Sequence, residues 1–81
     1  MLLKMKMPDL ATTGGTMKVG EWKVAPGEGV KRGQVILEVE TDKALTDVEC
    51  ITNGVLQEQL VQPGEDVLAG DVIAVIEVQQ R

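Results

Sequence analysis

Two stretches of this chain, thirty-seven residues apart, carry the same punctuation. Pro26-Gly27-Glu28-Gly29-Val30-Lys31-Arg32-Gly33-Gln34-Val35-Ile36 is echoed by Pro63-Gly64-Glu65-Asp66-Val67-Leu68-Ala69-Gly70-Asp71-Val72-Ile73, with Pro, Gly, Glu, Val, Gly, Val and Ile in matching places. A related stretch precedes each turn, Lys23-Val24-Ala25 in one case and Leu60-Val61-Gln62 in the other, and an alternating stretch follows each. The 81 residues therefore read as one domain, 1–81, built from half-repeats at about 3–41 and 44–78. Two copies are too few for a solenoid, which needs about three or more stacked units, so the halves are expected to close on one another. Each half is expected to supply one layer of a small sandwich or flattened barrel, with the inner faces sharing a core.

Composition says what the layers are made of. Twelve valines and four isoleucines stand against a single aromatic, Trp22, which favours strands and an all-β fold with a core of small branched side chains. Leu2 to Met7 alternates Lys4 and Lys6 with apolar neighbours and stops at Pro8, as an edge strand does. Asp9 to Gly15 reads as a loop. Thr16 to Val24 reads as a strand in which Gly20 marks a bulge or a close approach. Trp22 is expected to pack rather than to bind, and Cys50, which cannot form an intrachain disulfide, to be a small buried hydrophobe.

The centre of the chain is a hairpin. In Glu38-Val39-Glu40-Thr41-Asp42-Lys43-Ala44-Leu45-Thr46-Asp47-Val48-Glu49 residues alternate up to Lys43 and down again, and five carboxylates surround that one cation. A two-residue Asp42-Lys43 turn sets Thr41 against Ala44, Val39 against Thr46, Leu37 against Val48 and Val35 against Cys50 on an inner face. On the outer face it sets Glu40 against Leu45, Glu38 against Asp47 and Ile36 against Glu49. Without Gly or Asn in the turn, type I is expected. The position matching Lys43 in the second copy is Gln80, so the hairpin is expected at one end of the molecule and the termini near the other.

Much chemistry is excluded. There is no histidine, hence no nucleophilic triad and no customary general base or metal ligand. Strand-borne carboxylates spread along a convex face and make a poor metal cage, and paired acids of the glycosidase type would need a cleft. Gly14-Gly15 and the Pro-Gly turns lack the setting of a phosphate loop. A net charge of −5 with scattered cations argues against nucleic acid. No stretch approaches the roughly 18 to 20 apolar residues of a membrane span. No catalytic and no metal-binding residue is expected. What remains notable is that Glu38 faces Asp47; opposed like charges weaken a sheet, and beside a lone tip lysine they suggest a surface read by a partner.

These residues carry a resemblance. The chain is similar, over essentially its whole length, to lipoyl domains of the biotinyl/lipoyl-attachment family, as found in 2-oxo acid dehydrogenase and acetoin-cleaving complexes. Glu40-Thr41-Asp42-Lys43-Ala44 matches the lipoylation motif with Lys43 at the modified position, and the family's marker glycines, expected at structural turns, fall at Gly27 and Gly54. Trp22, the Pro-Gly-Glu turns and Val48-Glu49 also match. The resemblance implies a flattened β-barrel of two four-stranded sheets with an internal pseudo-twofold. It further implies lipoic acid amide-linked to Lys43, with Glu40, Thr41, Asp42 and Ala44 recognised by a lipoate ligase or lipoyl transferase. The implied role is a swinging carrier, not an enzyme, that moves acyl groups and electrons between a thiamine-diphosphate decarboxylase, an acyltransferase core and a dihydrolipoyl dehydrogenase. Such a domain is either free-standing or the N-terminal module of a dihydrolipoamide acyltransferase, in bacterial cytoplasm or an organellar matrix.

The surrounding carboxylates favour a charged ammonium at Lys43, so attachment needs an enzyme that reads the hairpin. Two alternatives share the fold. A biotinyl carrier typically flanks its lysine with Met, and Met5-Lys6-Met7 has that look, but Lys6 falls in the first strand and outside the central hairpin. An unmodified structural barrel of a larger assembly is the other. Leu45, outward beside Lys43, and the loop Leu10 to Thr13 are places where a cognate decarboxylase could discriminate.

Overall fold

The computed structural model describes residues 1–10, 16–41 and 44–78, and among these the chain is all β. Eight strands follow in order: β1 Leu2–Lys6, β2 Met17–Trp22, β3 Gly29–Val30, β4 Val35–Glu40, β5 Leu45–Glu49, β6 Gly54–Gln59, β7 Asp66–Val67 and β8 Val72–Val78. They form two four-stranded antiparallel sheets, ordered β1-β8-β6-β3 and β5-β4-β2-β7. The expected strands at the chain start and at Thr16 to Val24 are thus present, and β1 lies at an edge.

The pseudo-twofold is visible bond by bond. Gly27 N–H donates to Leu56 O at 2.7 Å and Gly64 N–H to Val19 O at 2.8 Å, while Gly33 donates to Cys50 O and Gly70 to Met7 O, both at 2.8 Å. The Glu28 carboxylate accepts from Ala25 N–H as the Glu65 carboxylate does from Gln62 N–H, so each Pro-Gly-Glu turn is tied by its own glutamate. Even Trp22 has a counterpart. Its indole Nε1–H donates to Val61 O at 2.9 Å, and Gln59, thirty-seven residues on, donates Nε2–H to Val24 O at the same distance. The half-buried Trp22 is a packing residue bridging the two halves.

The halves do not, however, each build a layer. β1 and β3 of the first copy sit in one sheet with β6 and β8 of the second, and β2 and β4 sit with β5 and β7. Four of the six strand pairings cross between copies, so neither half can satisfy its backbone alone. The short turns at Gly33 and Gly70, with φ of +86° and +93°, carry the chain from one sheet to the other, a reversal open to glycine without steric cost.

Interleaving also changes one expected register. From Glu40–Leu45 to Leu37–Val48 the pairing is the expected one, but Val35 then opposes Glu49 instead of Cys50, because Ile36 is an extra residue on β4. This β-bulge turns Ile36, expected outside, fully into the core. The second copy repeats it: Lys6 opposes Val72 and Met5 opposes Ala74, leaving Ile73 as the extra, buried residue. Each bulge thereby adds an isoleucine to a core with no aromatic other than Trp22, worth about 1.5–3 kcal/mol per buried side chain. Cys50 is buried as expected, with its Sγ 3.1 Å from Thr52 O.

Candidate functional site

The end of the β4–β5 hairpin is closed by its flanking residues. Thr41 N–H donates to Ala44 O at 3.0 Å, its Oγ1 donates to the same carbonyl at 3.0 Å, and Ala44 N–H donates back to Thr41 Oγ1 at 3.3 Å. Thr41 and Ala44 are therefore opposed across a two-residue connection, as the alternation implied. Asp42 and Lys43 themselves, and with them the turn type, lie outside the described residues. Glu40, exposed, pairs with Leu45, whose side chain is 61% exposed. Of the five motif residues the structure thus brings Glu40, Thr41 and Ala44 together at one strand end.

Below that end the acids do line up on the outer face. Glu38 opposes Asp47 as expected. The linear sequence hid the compensation for this opposition. Strand β2 lays Lys18 beside Glu40, and Lys23, just beyond β2, bonds Glu21 at 3.1 Å. The Lys23 ammonium is pushed above its ordinary pKa, first by the hydrogen bond and charge of Glu21, then by the charges of Glu38 and Asp47. Lys18 and Lys23 thus offset part of the charge on this face. Lys18 and Lys23 escaped the sequence reading because they are distant in the chain; only the strand order, with β2 against β4, could have revealed them.

The two marker glycines serve different needs. Gly27 lies in a turn with φ +94° and open space where a side chain would be. Gly54, expected at a turn, instead opens β6 and is buried, because an added Cβ there would run into the backbone carbonyl of Glu77 on β8. Gly20 is the close-approach bulge that was expected: its Cβ would stand 2.8 Å from Glu38 O, and the β2–β4 register slips between Val19 and Trp22.

The other motifs are structural or lie elsewhere. Lys6 is exposed on β1 while Met5 and Met7 are buried in the core, so that methionine pair serves packing. Leu10 packs against the core; the rest of the loop to Thr13, together with Gly14-Gly15 and Gln80, lies outside the described residues. A shallow hollow of about 450 Å³ separates the ends of β1 and β5, between Met5, Pro8, Leu10, Val48 and Cys50. The start of β5, which carries the hairpin, and the start of β1 both lie at the ends away from it. Val78 N–H donates to Met1 O at 2.8 Å, which sets the two ends of the described chain side by side as expected. Among the described residues no group of side chains could hold a metal ion, and no helix is long and apolar enough to cross a membrane.

Comparison with known proteins defines the class. The family profile described as "Biotin-requiring enzyme" matches residues 3–77. The chain is 38% identical over 77 residues to the dihydrolipoyllysine-residue acetyltransferase component of the pyruvate dehydrogenase complex of Zymomonas mobilis, covering 94% of this chain and 18% of that one. It is 35% identical over 75 residues to the succinyltransferase component of the 2-oxoglutarate dehydrogenase complex of Bacillus subtilis, covering 93% and 18%. The solution structure of the lipoyl domain of the Azotobacter vinelandii 2-oxoglutarate dehydrogenase complex matches with a TM-score of 0.70 and 32% identity, over 93% of this chain and 96% of that domain. The chain belongs to the biotin/lipoyl-attachment family, as a lipoyl domain of the type borne by 2-oxo acid dehydrogenase acyltransferase components. It spans about a fifth of the length of the curated relatives it matches and is itself a carrier rather than a catalyst.

Proposed function

We propose that Lys43 carries lipoic acid in amide linkage and that the domain presents it in turn to a decarboxylase, an acyltransferase core and a dihydrolipoyl dehydrogenase. The observation that carries this reading is the Thr41–Ala44 closure between β4 and β5, which leaves Asp42 and Lys43 of the attachment motif as the two residues between the bonded pair. When bound, the lipoyl group supplies a disulfide able to accept an acyl group and electrons. The chain supplies the rest. A lysine stem is long and ends in an amine suited to an amide bond, which Arg does not offer. Thr41 and Ala44, bonded to each other, flank Asp42 and Lys43 in the chain, and Glu40, Thr41, Asp42 and Ala44 are the residues a lipoate ligase or lipoyl transferase would read. Attachment removes one positive charge, making the formal net charge of −5 more negative by one.

Tethering the arm replaces diffusional encounter by a high effective concentration at each partner. Relatives named as bacterial or mitochondrial support a setting in bacterial cytoplasm or an organellar matrix. Within one domain, 1–81, the half-repeats 3–41 and 44–78 would be the units of an ancestral duplication, in keeping with the paired turn bonds. Coproduction with a lipoate ligase and lipoate tests the proposal by intact mass. The wild-type chain should gain one lipoyl group and Lys43→Ala none; an unmodified wild type, or a modified Lys43→Ala, refutes it. Streptavidin blotting after coexpression with a biotin ligase should be blank, as the burial of Met5 and Met7 beside Lys6 favours.

A further inference from the structure

The pseudo-twofold gives the molecule two ends of like shape, and a protein that acts on only one must tell them apart. Leu45 beside Glu40 on the hairpin end corresponds to Leu2 beside Glu77 on the other, and the two leucines are 61% and 63% exposed. An exposed leucine next to a glutamate is therefore a product of the repeat and distinguishes nothing. Charge does distinguish. Asp47 and Glu49 on β5 correspond to Lys4 and Lys6 on β1, and Glu38 on β4 corresponds to Val75 on β8. The outer face of β4 and β5 presents four carboxylates and no cation, against two lysines and one glutamate on β8 and β1.

Within the acidic face the compensation is uneven. Glu40 has Lys18 across the strand, and Lys23 serves Glu21 and lies near Glu38 and, more weakly, Asp47. In the ladder Asp47 faces Glu38, a like charge, and Glu49 faces the uncharged Val35. Lys6 and Arg32 line the same hollow as Asp47 and Glu49, but the one ion pair among the described residues is that of Lys23 with Glu21. Both acids are exposed, on a strand that lies at the edge of its sheet among the described residues.

We propose that the outer face of β5, through Asp47 and Glu49, is the docking surface for a Lys- and Arg-rich face of the enzyme that acylates Lys43, so that charge selects the hairpin end over its shape-equivalent. This rests on the attachment reading above. Complementary rim charges act chiefly on encounter and on salt dependence. Screening then weakens the selection as ionic strength rises, because the Debye length falls from about 10 Å at 0.1 M to about 3 Å at 1 M.

The test is steady-state lipoylation of the chain by a lipoate ligase at low and high salt. Asp47→Lys/Glu49→Lys should raise KM about tenfold at low salt, leave kcat within about twofold and flatten the salt dependence. Lys4→Glu/Lys6→Glu, which changes net charge as much at the other end, should leave KM within about twofold of wild type. Thermal midpoints establish that each variant is folded; should the reversal variant not fold, Asp47→Asn/Glu49→Gln should show the same effect at about threefold. An unchanged KM for the β5 variants overturns the proposal, as does an equal and opposite response of the β1 pair, which would mean that net charge alone is read. The end-point mass separates the two ideas. Full lipoylation with indistinguishable KM values sinks only the docking surface, whereas no lipoyl mass on the wild-type chain sinks the attachment reading and this inference with it.

Discussion

Gly27 and Gly54 flank the attachment motif, and replacing each with alanine should separate two physical reasons for a glycine. At Gly27 the reason is backbone conformation alone: φ is +94° and nothing lies within 4 Å of an added Cβ. A left-handed conformation costs an L-residue about 1–2 kcal/mol. Loss of glycine's freedom in the unfolded chain returns about 0.4–1 kcal/mol. Gly27→Ala should thus lower stability by about 0.5–1.5 kcal/mol, a fall in midpoint of about 3–10 °C for a domain this small. Gly64, at φ +93° in the matching turn and equally open, should give the same value within about 0.5 kcal/mol. At Gly54 the reason is space. A Cβ would strike Glu77 O and come within 3.0 Å of Ile76 Cγ2, and β6 and β8 are the two inner strands of their sheet. Overpacking costs about 1–3 kcal/mol, and opening the ladder at Gly54–Val78 and Val55–Glu77 adds about 1 kcal/mol for each bond lost. The sum approaches the lower end of the roughly 4–12 kcal/mol expected for a domain of this length. Urea unfolding followed by Trp22 emission gives both values, since no other aromatic contributes. Asparagine sharpens the contrast, because it tolerates left-handed backbone but is larger than alanine. Gly27→Asn should be milder than Gly27→Ala, and Gly54→Asn harsher than Gly54→Ala. A Gly54→Ala no worse than Gly27→Ala, or no benefit of Asn at position 27, would refute the reasoning.

Two further outcomes rest on contacts between the halves and along the acidic face. Trp22→Phe and Gln59→Leu each leave a backbone carbonyl, of Val61 or Val24, without its donor, and each should cost about 1–3 kcal/mol in urea unfolding. The paired roles require losses of similar size. Lys23 has a folded-state pKa raised above its ordinary 10.5, so its contribution to stability is complete below that pH and disappears as pH rises through the higher folded value. Unfolding followed from neutral to strongly alkaline pH should show a decline above about pH 10.5 that is smaller in Lys23→Met, and added salt should shrink the difference between the two proteins.

How much of this was legible in the linear chain depended on whether the cause was local. The hairpin register from Glu40 to Leu37 could be read because alternation and a two-residue turn are local facts, and the burial of Cys50 followed from it. The turns were legible for the same reason, each being closed by its own glutamate three residues from the amide it accepts. Ile36 was misplaced because a bulge interrupts the period-two pattern; its signature is two apolar residues in succession, which also suits a strand buried on both faces. The assignment of one half to one layer failed because strand exchange at Gly33 and Gly70 leaves the repeat unchanged in the sequence. The Lys18 and Lys23 compensation needed β2 to be placed beside β4, which no periodicity reports. The motif spacing, by contrast, is a property of the linear chain, and it places Gly27 and Gly54 at fixed distances from Lys43.

That spacing has a mechanical reading. Gly27 N–H bonds Leu56 O, and Gly54 pairs with Val30, so the two marker glycines belong to one junction where β3 meets β6. From that junction the chain leaves one sheet, turns at Gly33, runs up β4 to the hairpin end, descends β5 and re-enters the first sheet at Gly54. The ascending arm is longer than the descending one because it includes β3, the Lys31-to-Gln34 turn and the extra residue Ile36. The distance of each glycine from Lys43 therefore counts the residues needed to carry the hairpin clear of the β3–β6 junction and bring the chain back into register. Shortening β5 by two residues would preserve the alternation of its side chains but draw Gly54 out of its place against Glu77. The ends of β4 and β5 are set relative to the β3–β6 junction by these two contacts, which is why a motif centred on one hairpin extends over most of a half-domain.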